Sequence, residues 1–291
     1  IDRSRGLGDV YKRQGVDCSA TGMLDDWKAM AFHLDTLTEE VHIAMVGKYT
    51  DLSDAYLSVI KSLQHAAMAV DRKLVIDWIE ASHLEEDWAA EDHEAAWAAL
   101  RKADGVLVPG GFGDRGVEGK IRAAHYARTE GVPYLGICLG LQIATIEFCR
   151  NVLGMTGANS TEFEDNPEHA AVVFMPEISK THLGGTMRLG SRPTLWQHDG
   201  STIRALYGPG EAVDERHRHR YEVNPDLIER IEEAGLVFVG KDESGQRCEI
   251  FELNDHPYYV GVQFHPEFKS RPGKPSPPFL GLLKAASDQL N

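Results

Sequence analysis

A short apolar run over residues 132–137 ends in Gly136-Ile137-Cys138-Leu139-Gly140, and a helix-forming stretch follows without a gap. This junction constrains the fold more tightly than any other feature of the chain. A strand must turn sharply into a helix with a sulfur at an exposed apex, the thiol counterpart of a nucleophile elbow. The strained turn leaves no room for a Cβ on its flanks, and glycine meets that demand. At a helix N-terminus, backbone N–H groups and the helix dipole favour the ionised thiol. The competing reading is a packed core cysteine, which is a common fate for a thiol.

Two further stretches bear on that choice. In Gln263-Phe264-His265-Pro266-Glu267-Phe268, closing an apolar run over 258–264, His265 is a candidate base for Cys138 and Glu267 a candidate to orient the imidazole. Residues two apart on a strand point the same way, so strand spacing would bring the Glu267 carboxylate to the ring. Pro109-Gly110-Gly111-Phe112-Gly113 follows the apolar run Gly105–Val108. Glycine N–H groups at the carboxyl end of a parallel strand suit an oxyanion hole. A cysteine, a remote histidine and a carboxylate are the parts of an activated-thiol hydrolase, and together the motifs favour a catalytic Cys138. Cys149, on an apolar helical stretch, reads as a core thiol. Cys18 and Cys248 carry no partner signal, and no C-x-x-C spacing marks a zinc site or a disulfide framework.

Strand and helix signals alternate from residue 41 onward. Strands are expected over 41–46, 74–79, 105–108 and 132–137, and helices over 53–70, 91–102, 117–129 and 139–150. That order implies an α/β fold with a mostly parallel central sheet and helices on both faces. Later short strands (172–175, 186–189, 236–241, 247–253 and 258–264) are expected to extend the same sheet with antiparallel members. Residues 27–37 have helical spacing and close an interdomain linker over 15–40, ahead of one domain over 41–291. Residues 1–14 contain four basic residues but no apolar core, so they do not read as a signal peptide but as a non-native stretch.

The motifs, in this order, resemble those of the class I glutamine amidotransferases. Longer stretches narrow the resemblance to the CTP synthase family. These are Val46-Gly47-Lys48-Tyr49-Thr50-Asp51 with Asp54-Ala55-Tyr56, and Val108-Pro109-Gly110-Gly111-Phe112-Gly113 with Arg115-Gly116 and Glu118-Gly119-Lys120. Asn159-Ser160-Thr161-Glu162-Phe163 and Leu183-Gly184-Gly185-Thr186-Met187-Arg188-Leu189-Gly190 follow. The last are E-R-H-R-H-R-Y-E-V-N over 215–224 and H-P-E-F-K-S-R-P-G-K-P-S-P-P over 265–278.

The resemblance implies a glutaminase in which the Cys138 thiolate attacks the side-chain amide carbon of L-glutamine. N–H groups near Gly111 and Leu139 hold the oxyanion, and His265 moves the protons. It implies a glutamine site made by Gly111, Leu139, Gly140, Leu141, Gln142, Glu162 and Arg220. In that site Arg220 grips the α-carboxylate bidentately, Glu162 takes the α-amino group and Gln142 makes a further contact. It implies a lid over 112–120, with Phe112 and Arg115 responding to GTP as an allosteric effector. No metal or cofactor is expected within the chain. ATP, Mg²⁺ and UTP belong to an N-terminal synthetase domain, a partner expected to be absent here, which uses the ammonia to aminate UTP to CTP in pyrimidine biosynthesis. A homo-oligomer is expected at full length.

Read without the resemblance, Glu162 suits a surface carboxylate, Gln142 a helix-surface amide and 112–120 a surface loop. Arg216-His217-Arg218-His219-Arg220 does not suit a metal, because arginine charge repels a cation; Arg216 and Arg218 fit a solvated loop. Gly47-Lys48 lacks the spacing of a phosphate loop. A formal net charge of -15 argues against a nucleic-acid-binding face. No apolar run approaches the ~18 residues of a membrane helix, and the cysteine usage fits a reducing cytoplasm. Two rival readings are a stand-alone hydrolase such as a γ-glutamyl peptidase, and a non-enzymatic regulatory or assembly module.

Overall fold

The computed structural model describes residues 22–50, 52–175 and 187–290. The expected non-native stretch, Cys18 and the quoted residues 51 and 183–186 lie outside them. The chain divides into two compact units, Ile1–Glu39 and Glu40–Asn291. In the first, the described element is helix α1 (Gly22–Thr36), with Asp25 in its first turn and His33 in its last, as the helix dipole favours.

The second unit begins with the expected alternation: β1 (Glu40–Gly47), α2 (Leu57–Ala69, entered through a 3₁₀ turn at Ser53–Tyr56), β2 (Lys73–Glu80), α3 (Ala90–Lys102), β3 (Gly105–Val108), α4 (Val117–Glu130), β4 (Tyr134–Ile137) and α5 (Leu139–Asn151). It continues with β5 (Ala158–Ser160), β6 (His169–Phe174), β7 (Arg188–Trp196), α6 (Thr202–Tyr207), β8 (Ala212–His219) and β9 (Tyr221–Val223). Then come α7 (Ile228–Glu233), β10 (Leu236–Lys241), β11 (Cys248–Leu253), β12 (Tyr259–Val262) and α8 (Pro277–Ala285). Among the described residues, nine strands form one sheet in the order β2-β1-β3-β4-β12-β11-β10-β7-β8. Pairing is parallel from β2 to β12 and antiparallel from β12 to β8.

Every residue of β3 and β4 is buried, as central parallel strands covered on both faces require. Alternate residues of β1 divide between two cores. Ala44 and Val46 pack with Leu100, Ile121 and Phe148 of α3, α4 and α5. Ile43 and Met45 pack with Leu63, Phe279 and Leu282 of α2 and α8. The helices therefore cover both faces.

Two later strands depart from expectation. β6 does not extend the main sheet but joins β5 and β9 in a separate three-stranded sheet. Only Ala171 and Val172 of β6 are buried, which suits a satellite sheet better than a central strand. β12 is not an antiparallel addition to the parallel set: it pairs with β4 in parallel, from Tyr259↔Tyr134 to Val262↔Ile137. Its four residues are buried, and the Phe251 ring lies where a side chain on Gly261 would go, with ring carbons 2.4 Å from an added Cβ.

β3, β4 and β12 are neighbours, so their carboxyl ends deliver Gly110, Cys138 and His265 to one edge of the sheet, where open α/β sheets bind ligands. The elbow has the expected strain: Cys138 adopts φ 52° and ψ -99°. A Cβ on Gly136 would lie 2.6 Å from the Gly140 carbonyl, and one on Gly140 would lie 2.2 Å from the Val108 carbonyl oxygen. Helix α5 thus starts with its backbone against the end of β3. Gly140→Ala should force that backbone apart and cost about 1–3 kcal/mol, the usual range for overpacking. A lowered urea midpoint is the expected reading, and an unchanged midpoint would show that the junction yields freely.

Candidate active site

Cys138 is 4% exposed, so the elbow apex is buried and not an exposed turn. The β12 end and the following residues close over it. Its N–H donates to the Val262 carbonyl at 2.7 Å, and Gln263 Nε2 donates to its sulfur at 3.6 Å. The thiol faces the Arg218 carbonyl at 3.9 Å.

His265 reaches Glu267 as expected, but through a different local structure. His265 caps a 3₁₀ turn, Pro266–Lys269, and within that turn Nδ1 meets Glu267 Oε1 at 2.8 Å. Strand spacing is not the cause. An Nδ1–H on the carboxylate leaves Nε2 as the basic nitrogen, and Nε2 is buried with no hydrogen-bond partner among the described residues. A Cβ on Gly110 would lie 2.8 Å from His265 Cε1 and 3.4 Å from Cys138 Cβ, so ring and thiol meet over that glycine. Burial pushes the imidazole pKa down, but hydrogen bonding with Cys138 and Glu267 and their negative charge hold it up at about 10. The Nε2–sulfur contact itself is not a closed hydrogen bond. From the sulfur, proximity and charge alone raise the pKa here, and contacts of this kind tighten when substrate binds.

A cavity beside the thiol is lined by Cys138, Gly111, Gln142, Glu162 and Arg220, with His219 and Tyr221 completing its wall. Arg220 Nε is buried without a hydrogen-bond partner. The Glu162 carboxylate accepts the Gly113 N–H at 3.2 Å, and burial pushes its pKa up against the pull of Gly113, Lys48 and Arg220. Gln142 is not a helix-surface amide: it is 3% exposed, and its Nε2 donates to the Tyr221 carbonyl at 2.9 Å and to Gln263 Oε1 at 3.2 Å. Helix α5 is buried over most of its circumference, which leaves Gln142 no solvent face. Leu139, Gly140 and Leu141 form the buried first turn behind the thiol.

The two residues expected to act in a lid part company. Phe112 borders the thiol cavity, with the Arg218 guanidinium 5.5 Å from its ring centroid. Arg115 turns elsewhere, pairing with Glu80 at 3.4 Å and lying 4.6 Å from the Tyr49 ring centroid. It faces a separate cavity of about 690 Å³ bordered by Glu80, Glu85 and Trp88, which does not include Cys138. Residues 215–219 are not a loop but part of β8, with Glu215, His217 and His219 buried and Arg216 and Arg218 exposed.

Three contributors, Lys48, Tyr56 and Gln263, were missed as functional residues in the sequence. Lys48 Nζ donates to the carbonyls of Phe112 and Gly113, each at 3.0 Å, and so pins the loop. The Tyr56 hydroxyl brackets the Lys48 backbone at 2.9 and 2.7 Å, in space that a side chain on Gly47 would need. The sequence signal for that clamp was the Gly47-Lys48 and Tyr56 stretch. For Gln263 it was adjacency to His265.

The family described as Glutamine amidotransferase class-I matches residues 51–285. The chain belongs to this family. CTP synthase of Dictyostelium discoideum is 59% identical, over 91% of this chain and 48% of its own length. CTP synthase 2 of Xenopus laevis is 55% identical, over 99% of this chain and 51% of its own. The chain spans about half the length of these curated relatives. The solved structure "Trypanosoma brucei CTPS - glutaminase domain with bound acivicin" matches with a TM-score of 0.79 at 38% identity, covering 86% of this chain and 94% of that one. The chain is thus an amidotransferase domain of the CTP synthase type.

Burial pushes the Cys149 thiol up to about 12 and the Cys248 thiol higher still, so neither forms a reactive thiolate near neutral pH. Iodoacetamide in limiting amount should alkylate Cys138 ahead of both in this amidotransferase domain. Peptide mapping by mass spectrometry checks this, and equal labelling of the three would remove the case for an activated Cys138.

Proposed function

We propose that this domain releases ammonia from L-glutamine for a CTP synthase. The observation that carries the reading is the placing of Arg220 and Glu162 on one cavity with Cys138. A cation and a carboxylate beside a nucleophile match the two charges of an α-amino acid whose side chain is to be attacked. The Cys138 thiolate adds to the glutamine amide carbon, and N–H groups near Gly111 and Leu139 take the oxyanion. His265, held by Glu267, protonates the leaving nitrogen, and ammonia departs from a glutamyl thioester. Water activated by His265 then hydrolyses the thioester to glutamate and restores the thiol. Acivicin bound in the Trypanosoma glutaminase domain supports a ligand site in this fold. A stand-alone peptidase is disfavoured by the Lys48–Tyr56 clamp and by the 215–224 stretch, which supplies part of the pocket wall.

Ammonia is mostly protonated at neutral pH and then not nucleophilic, so it needs a protected path to its acceptor. The acceptor site is a partner synthetase domain that binds ATP, Mg²⁺ and UTP and forms CTP. GTP acts as effector through the loop bearing Phe112 and Arg115, and the full-length protein is a homo-oligomer. We place it in the cytoplasm; among the described residues no helix is long and apolar enough to cross a membrane.

Cys138→Ala should abolish glutamate release from glutamine with the fold intact, and Glu267→Gln should slow it by about 10²–10⁴-fold if the pair works as in a serine triad. A direct glutamate assay reads both; turnover in Cys138→Ala at the unmodified rate would overturn the reading. The isolated chain should show slow basal turnover with little response to GTP. Joining it to an authentic synthetase domain should bring CTP formation and GTP activation, because an effector acts only through contacts that differ between two states. Strong GTP activation of the isolated chain would show instead that the effector site is complete within it.

A further inference from the structure

Arg220 occupies an awkward place in the chain. β8 ends at His219 in the nine-stranded sheet and β9 begins at Tyr221 in the three-stranded one, so Arg220 is the single residue at the crossing between them. Neither β ladder includes Arg220, although its carbonyl accepts the Met175 N–H at 3.0 Å. The side chain of His219 spans the gap: its Nδ1 lies 3.1 Å from the Tyr221 carbonyl oxygen, closing a ring around Arg220.

The ring nitrogens settle their own protonation. A carbonyl can only accept, so Nδ1 of His219 carries the hydrogen and donates it. In the neutral ring Nε2 is then a lone pair, and His217 Nδ1 lies 3.1 Å from it. His217 must donate there, which makes it an Nδ1–H tautomer as well. Its own Nε2 is left bare, buried without a partner and 3.7 Å from Glu249 Oε1. The two rings are 3% exposed, and Glu249 is held in turn by Arg188 at 2.7 Å and by the Thr194 hydroxyl. Burial first, and the neighbouring cations after it, push the pKa of both rings far down, in keeping with a neutral pair.

We propose that His219, held as its Nδ1–H tautomer by the Tyr221 carbonyl and capped on Nε2 by His217, is the positioning residue that aims Arg220 at the α-carboxylate of glutamine. With Nε2 capped by His217, His219 lines the cavity beside Cys138 yet has no free lone pair to serve as a second base. It acts through the backbone on either side of Arg220, so its loss weakens substrate binding more than chemistry.

This inference rests on the glutaminase reading, and its test separates the two. His219→Asn places an amide donor near the Nδ1 position, whereas His219→Gln places its amide near Nε2 and gives up the Nδ1 bond. His219→Gln should raise KM for glutamine by about tenfold or more, the scale of one hydrogen bond to a charged group, with a smaller change in kcat. His219→Asn should recover most of that affinity. Iodoacetamide, which has no α-carboxylate, should alkylate Cys138 at the same rate in both variants. Nitrogen-15 spectra of the unmodified protein should show His217 and His219 as neutral Nδ1–H rings, a reading that stands whether or not glutamine is turned over. Equal KM in the two variants, an Nε2–H tautomer on His219, or a fall in kcat at constant KM would overturn the proposal. Absence of glutamate release from the unmodified protein, with the tautomers as stated, would instead refute the glutaminase reading.

Discussion

The contact of Gly140 with the Val108 carbonyl is the constraint on which the site depends. Because the first turn of α5 lies backbone to backbone on the end of β3, the loop leaving β3 must pass directly beside Cys138. Gly110 then sits between the thiol and the imidazole, where its missing side chain leaves space for the His265 ring. The Cys138 N–H bond to Val262 fastens the elbow to β12, the strand that delivers His265. Candidate nucleophile, base and oxyanion donors are thus placed by three adjacent parallel strands and their glycines, with little reliance on flexible side chains. The price is a non-glycine residue at positive φ, tolerated because neighbours on both sides fix the turn.

The charged wall of the cavity comes from a different part of the fold. β8 lies at the far edge of the main sheet, yet the His265 N–H donates to the Arg216 carbonyl at 2.8 Å, so this edge returns to the β12 end. From there the chain crosses into the satellite sheet, which holds Tyr221 and, just beyond β5, Glu162. One half of the site therefore rests on the parallel core, and the other on the seam between two sheets. Rigidity is inherent in the first. In the second it must be supplied by buried polar contacts, with Gln142 bonding both Tyr221 and Gln263.

That division explains what could be read from the sequence. Apolar runs interrupted by helical stretches announce a parallel sheet, and glycines at 110, 111, 136 and 140 mark the junctions because their reason is local. The assignment of 172–175 to the main sheet failed because a half-buried six-residue strand looks the same whichever sheet it joins. Arg216 and Arg218 passed for loop residues because alternating charges conceal a strand whose inward residues are histidine and glutamate instead of aliphatics. Glu267 was assigned the right partner by the wrong geometry: a two-residue offset serves in a 3₁₀ turn as well as in a strand. Lys48 could not be placed, since it owes its role to Phe112, far off in sequence; Gln142 lies on the cavity where the resemblance puts it, but its burial and its bond to the distant Tyr221 were not legible.

The loop over the thiol shows how the two halves are joined. Lys48 holds it from the parallel side, through the carbonyls of Phe112 and Gly113, and Glu162 holds it from the satellite side, through the Gly113 N–H. Gly113 adopts φ 76°, a conformation that a side chain would disfavour, so the clamp can close on both its backbone groups. A carboxylate has two oxygens and about four lone-pair sites. Glu162 Oε1 can therefore keep the Gly113 N–H while Oε2 receives an ammonium from the cavity. In the proposed reading substrate charge and loop position then depend on one half-buried carboxylate, whose pKa is raised because burial disfavours its ionised form.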